Sequence, residues 1–431
     1  MSVKKVLKQI VGEKRLSNLK GEVCHYSCLL FFALKQKARM TCVGNQIQVK
    51  CELSSPAYHI YRGYYDLRYM DSKGELFLCH RLPVKAHTNR DTKCEIGYYD
   101  LKKLEFTKLA ETNAWCWQQG SRLRWYPENA KWVMFNDVSD DSYCTRIVDI
   151  ETKKDVKKID YPIYDISSDC KWGISLNYSR LQRLRPGYGY NYFEDKTMNQ
   201  NAPSDDGLYL IDIENNKPTL IVSLKELADK INNGSQYVHY LNHVSIAPDS
   251  NHFIFFHIYT KIGEKRWGTV LYVYSVKDSA YYAIEKVDRV SHYCWMDNEN
   301  MMVTCHREDG SEYYATYNVL NGEKRILDID GLGVDGHPNR LGEGKLFITD
   351  TYPQQKSIQY IELFKESSTK VTKIAELYHD YRMRGEQRCD LHPSVEDDGR
   401  YVAVDTTYHG GRRSIVIFKN SMEEIDKEEI K

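Results

Sequence analysis

Four histidines, His243, His292, His337 and His392, recur at intervals of 49, 45 and 55 residues, each a few positions ahead of a turn and an apolar run. The segments read "NHVSIAPDSNHFIFFHIY" from 242, "SHYCWMDNENMMVTCHRE" from 291, "GHPNRLGEGKLFITDTYP" from 336 and "LHPSVEDDGRYVAVDTTY" from 391. An imidazole titrates near neutral pH, so it suits general-base work or, through a nitrogen lone pair, metal ligation. The last copy adds Arg388 and Asp390 at alternate positions before His392, and residues two apart in a strand share a face. Neutral imidazoles beside a carboxylate suit Zn²⁺ or Mn²⁺, which makes His337, Asp390 and His392 the expected metal ligands. A lone histidine at such a place more often satisfies a buried carbonyl, and duplication alone can copy one from unit to unit. Four in phase favour a shared use.

A second cluster lies in the insertion 179–206, which carries Arg180, Arg183, Arg185, Tyr188 and Tyr190. Guanidinium forks match carboxylates and phosphates, so Arg180, Arg183 and Arg388 are candidate substrate clamps. The blander alternative is a solvated loop whose tyrosines cover a neighbouring element. Gln118 and Gln119 can hydrogen-bond sugar hydroxyls or, equally, backbone ends. Neither "GYGY" nor "GEG" has the strand, helix and glycine spacing of a phosphate loop, and no GxSxG or HExxH motif occurs.

The elements that must carry these residues follow from the same repeat. Each histidine segment is trailed by a second strand: "TVLYVYSVKD", "EYYATYNVLNGE", "SIQYIELFKE" and "RSIVIFKN". Weaker copies begin near 64, 118 and 164, giving about seven units of three or four short strands. Alternation with period two and Tyr, Val, Ile and Phe richness disfavour stacked helical repeats. The expected fold is all-β, a seven-bladed β-propeller over 46–425, with a short helical N-terminal extension over 1–45. The strand "NQIQVKCELSS" at 45–55 is expected to help close the ring. In a propeller the innermost strand of each blade lines the central channel, so the four histidines should converge there.

Bulk composition narrows the partners. Lys+Arg and Asp+Glu both number 60, so no global charge argues for nucleic acid. Anion binding must therefore come from a local cluster. The run "CLLFFAL" is too short to span a bilayer, and no export signal is visible. Twelve scattered cysteines without CxxC pairs read as reduced thiols, and the expected location is the cytoplasm.

With the His-Pro motifs "DGHPNR…LFITDTYP" and "RCDLHPSVEDDGRYVAVDTT" identified, the chain resembles the propeller polysaccharide lyases: the oligogalacturonate lyases and, more distantly, the ulvan lyases. The resemblance spans roughly residues 60–418. It implies cleavage of uronate-containing glycans by β-elimination, with a channel-mouth metal held largely by histidines. It matches His337 and His392 to metal-type motifs and His243 to the strand bearing the base. His243 or His292 would be the base, Tyr188 the acid, and Arg185 or the metal the carboxylate partner. The chain departs from the family where Ser394 replaces a second metal histidine, and it lacks the export signal of the secreted ulvan lyases. Two readings stand: a metal-assisted lyase on acidic oligo- or polysaccharides, or a non-catalytic propeller that binds an anionic glycan or a protein partner, within a bacterial polysaccharide-synthesis pathway for example.

Overall fold

A computed structural model describes residues 13–86, 90–264, 266–342 and 345–421; the part of the expected helical extension that falls on residues 1–12 lies outside them. Seven antiparallel sheets follow one another along the chain, and each is a blade. Blades 1 to 5 take four consecutive strands each, from Tyr58–Tyr61 to Lys324–Ile326. Their middle strands are apolar runs, most of them interrupted by a buried polar residue, because both faces are covered by neighbouring blades. His252–Thr260 and Trp267–Ser275 of blade 4, "HFIFFHIYT" and "WGTVLYVYS", are buried along almost their whole length. Outermost strands meet solvent and read differently: Lys324–Ile326 is exposed throughout.

The ring closes by borrowing from the start of the chain. Blade 7 holds Ser394–Glu396, Tyr401–Thr406 and Ser414–Asn420, and its outermost strand is Ile47–Leu53, paired from Ile47 with Asn420 to Leu53 with Ile415. Burial of Ile47 and Leu53 contributes about 1.5–3 kcal/mol each to that closure. Blade 6 likewise gains a fifth strand, Met40–Cys42, on Thr372–Tyr378. The helix Glu13–Leu34 packs Cys28 and Phe32 on Ile358 and Tyr378, and His25 Nδ1 meets the Tyr378 hydroxyl at 2.8 Å. A second clasp lies deeper: Arg62 of blade 1 donates to Asp405 of blade 7 (Nε to Oδ1, 3.0 Å) and to the carbonyls of Leu391 and His392. All twelve cysteines are free thiols. No helix among the described residues is long and apolar enough to cross a membrane.

One local expectation changes. Arg388, Asp390 and His392 do not begin a strand: 388–393 is irregular, and the strand starts at Ser394. Pro393 has no N–H to give a ladder, and His392 sits at φ +49°, outside the β region. Arg388 and Asp390 still meet on one side, as alternation implied, through a two-point ion pair.

Candidate metal and substrate site at the axial mouth

Backbone irregularities aim the histidines. The pairing of the innermost and second strands shifts register between Asn242 and Ser245 in blade 4, and between Val290 and Tyr293 in blade 5. Such bulges re-aim a side chain, and here they carry His243 and His292 to the axis. His243 at φ +52° and His392 at φ +49° occupy the left-handed region, which costs a non-glycine residue about 1–2 kcal/mol. Hydrogen bonds hold them there: the His243 amide donates to the Tyr164 hydroxyl (3.1 Å), and the His392 amide to Asp350 Oδ2 (3.0 Å).

The four rings converge. Centroids of His292 and His337 lie 4.0 Å apart, His337 and His392 4.2 Å, and His243 and His292 6.1 Å. All four are buried, at 1–2% exposure. Their Nδ1 atoms are spoken for in three cases: His292 to Asp335 (3.0 Å), His337 to Asp350 (2.8 Å) and His392 to the Gly63 carbonyl (3.1 Å). Those acceptors assign the proton to Nδ1 and leave a lone pair on Nε2. Nε2 of His292, His337 and His392 has no hydrogen-bond partner, nor has Nδ1 of His243. Carboxylate–histidine pairs of this kind raise ligand basicity and fix ring orientation at metal centres. One donor atom from each of His337, Asp390 and His392 lies within 4.8 Å of the others, so this trio fits a divalent ion.

Electrostatics divide the cluster. Burial, reinforced by the neighbouring His337, pulls His292 down to about 4. Burial and then a neighbouring imidazole, His292 beside His243 and His337 beside His392, hold those two rings well below the usual range. Burial opposes charge on His337 too, but Asp350 outweighs it and raises that ring. Burial resists the Asp390 carboxylate as well, yet the Arg388 fork (Nε 2.8 Å, Nη2 2.7 Å) keeps it ionised.

Above the rings opens a cavity of about 520 Å³. It receives Arg185, Tyr188, Gln118 and Arg388, together with Tyr352, Arg289 and His306. The Tyr188 ring lies 5.9 Å from His243, and the Tyr352 ring 5.8 Å from His337. Arg185 stacks over Tyr188 (4.6 Å) and over Trp267 (4.7 Å), and its Nε is unpaired. Gln118 Nε2 donates to the Arg388 carbonyl (2.8 Å), leaving its Oε1 without a partner. A cavity of similar volume, about 530 Å³, opens at the opposite ends of the inner strands, between Trp125 and Trp295. Its charged wall residues are already paired, Arg124 with Asp165, Asp66 with Arg122 behind it and Arg68 with Asp398, and no histidine lines it.

Three expected substrate contacts lie elsewhere. Arg180 is buried, and its guanidinium donates to the carbonyls of His239, Thr197, Gln200 and Asn201, fastening the insertion rather than facing the cavity. Arg183 is spent on Asp195 (2.9 Å). Gln119 is sealed in the axis, donating to Tyr164 (2.8 Å) and Asn242 (3.3 Å). The residues that sequence reasoning passed over are Asp335, Asp350, His306, Arg289 and Tyr352.

No family model matches the chain, and no curated protein matches it in sequence. Solved structures do match. An oligogalacturonate lyase in complex with manganese superposes with a TM-score of 0.60 at 13% identity, covering 89% of this chain and 98% of that one. In fold, the chain is similar to the oligogalacturonate lyases. A second such lyase, from Vibrio parahaemolyticus, gives a TM-score of 0.59 at 13% identity with the same coverage. The resemblance carried by the His-Pro motifs is thus borne out as a distant, seven-bladed likeness to these lyases.

Proposed function

We propose that the protein is a metal-dependent lyase acting on uronate-containing oligo- or polysaccharides by β-elimination. The observation that carries this reading is the set of unpartnered imidazole nitrogens buried on the axis beneath an arginine- and tyrosine-walled cavity. The residues fit a divalent ion such as Mn²⁺ or Zn²⁺, with His337, Asp390 and His392 as ligands. When bound, such an ion supplies a fixed positive charge beside a developing anion.

The rest falls to side chains. Arg185 neutralises the uronate carboxylate, so that charge arriving at C5 has an acceptor. His243, neutral and with a free Nδ1, takes the C5 proton. His292, whose Nδ1 is held by Asp335 and whose Nε2 is also free, is the alternative base. Tyr188 gives its phenolic proton to O4 as the C4–O4 bond breaks and the C4–C5 double bond forms. Burial of the floor excludes water, strengthening each charge interaction.

A second reading has its own support. Ser394, standing where the lyases carry another histidine, donates to Glu396 (2.6 Å) and accepts from Arg62, a structural use. That favours a propeller that binds acidic glycans without cleaving them. Incubation with polygalacturonate and Mn²⁺, followed by near-ultraviolet absorbance, separates the two. The lyase reading expects the rise of an unsaturated uronate, lost in His243→Gln; binding without any rise would overturn it.

A further inference from the structure

The axial cavity does not end at its rim. Its wall residues Glu264, Trp267, Arg289, His306 and Glu312 also line a second cavity of about 660 Å³ over the top of blades 4 and 5. That cavity in turn shares Tyr237, Tyr259 and Lys286 with a third, of about 580 Å³, on the flank of blade 4. The three form one continuous groove. It runs from Tyr240 in the innermost strand of blade 4 to Tyr281 and Tyr282 in the outermost, three inter-strand spacings or about 14 Å. We propose that this groove binds the continuation of an acidic polysaccharide chain whose terminal or scissile uronate sits in the axial cavity, so that the protein is built for long substrates.

The wall chemistry carries the inference, which rests on the lyase-site reading above for the occupant of the axial end. Trp267 lies between two guanidiniums, Arg289 at 4.4 Å and Arg185 at 4.7 Å from its ring centroid. Buried Arg289 Nε has no partner. Further out, Lys261 stands 5.7 Å over Tyr237 and Lys230 5.2 Å over Tyr281. Lys230, Arg266, Lys286 and Arg307 have no carboxylate partner among the described residues, whereas Glu264 and Glu312 are taken by Lys261 and His306. The groove therefore alternates cations free to meet carboxylates with aromatic faces on which the C–H face of a pyranose ring packs. Single-stranded nucleic acid uses similar elements, stacking plus cations. The polysaccharide is favoured because the groove empties into a cavity walled by Arg185, Arg289 and Arg388, which suit a uronate carboxylate.

Calorimetric titration with oligogalacturonates from disaccharide to hexasaccharide tests this, since binding needs no turnover. Affinity should rise at least about tenfold from the shortest to the longest as further sites engage. The double variant Lys286→Glu/Arg307→Glu should bring the hexasaccharide down to about the disaccharide's affinity, with its circular dichroism and thermal midpoint reported alongside. Length-independent affinity would overturn the proposal, as would equal losses at every length in a folded variant. Tighter binding of a single-stranded oligonucleotide of matching charge would overturn it too. Length-dependent binding without any unsaturated product would sink the lyase reading and leave the groove standing.

Discussion

Blades 4 to 7 and blades 1 to 3 put different chemistry at the same place in the fold. The first group sends His243, His292, His337 and His392 to the axis, each with a nitrogen left over. The second sends Tyr64, Tyr65, Gln119 and Tyr164, backed by buried Arg62 and Arg122, and it is almost saturated. The Tyr65 hydroxyl donates to the Tyr293 carbonyl (2.7 Å) and accepts from its amide (2.9 Å). Arg122 grips Asp66 with two N–H groups. Of these six side chains, only Tyr64 and Gln119 keep an atom without a partner, the Tyr64 hydroxyl and Gln119 Oε1. One arc is thus a scaffold, and the other holds unspent donors against it. A buried polar atom without a partner costs about 1–3 kcal/mol, so the four imidazoles carry a cost that the tyrosine arc largely avoids.

The scaffold half breaks most expensively at Arg62. Arg62→Met leaves Asp405 a buried carboxylate without its cation, and should cost about 3–5 kcal/mol of unfolding free energy in urea. A loss under about 1 kcal/mol would mean that saturation is not what secures this arc.

Next in size is a pH effect on the reactive half. Burial opposes charge on His306, but Asp335 and Glu312 overcome it and push the ring up to about 9. A histidine held above its unfolded value of about 6.5 gives stability that is complete below that pH. The stability is then lost as pH rises through about 9. The thermal midpoint should fall across that window, by an equivalent of at most about 3 kcal/mol. His306→Gln should flatten the fall; an unchanged profile would assign it to other groups.

The smallest effect sharpens the comparison. Asp350 orients His337 through Nδ1 and His392 through its amide, so Asp350→Asn should weaken Mn²⁺ binding by about 10–100-fold with the fold intact. Titration calorimetry reads this directly, and unchanged affinity would remove Asp350 from the site.

Much of this was legible in the chain. The repeat of histidine, turn and apolar run located blades 4 to 7 and the convergence of their rings, because each copy puts its histidine on the innermost segment of its blade. The residue lies within the strand at His243 and His292 and just ahead of it at His337 and His392. The insertion's Arg185 and Tyr188 were legible as chemistry, yet nothing in spacing separated them from Arg180, whose fate depends on carbonyls 17 to 59 residues away. The supporting acids were missed although they left a signal. A buried polar residue interrupts the apolar second strand of most blades: His80, Asn136, His257, His306, Asp350 and Asp405. Most reach the start of the next blade's inner strand, as His80 does to Ser121, Asn136 to Ile163 and Asp405 to Arg62. Aligning second strands as well as first ones would have exposed His306 and Asp350, but not Asp335, which lies in the loop ahead of the inner strand of blade 6. The fifth strand of blade 6 had no such cue, since "MTC" is too short to show a period.

Anomalous scattering from crystals soaked in Mn²⁺ tests the account at its centre. It predicts a single strong peak on the propeller axis within bonding reach of His337 Nε2 and His392 Nε2 and beside Asp390. A map empty there, or an ion bound elsewhere with those nitrogens bonded to protein, would contradict it.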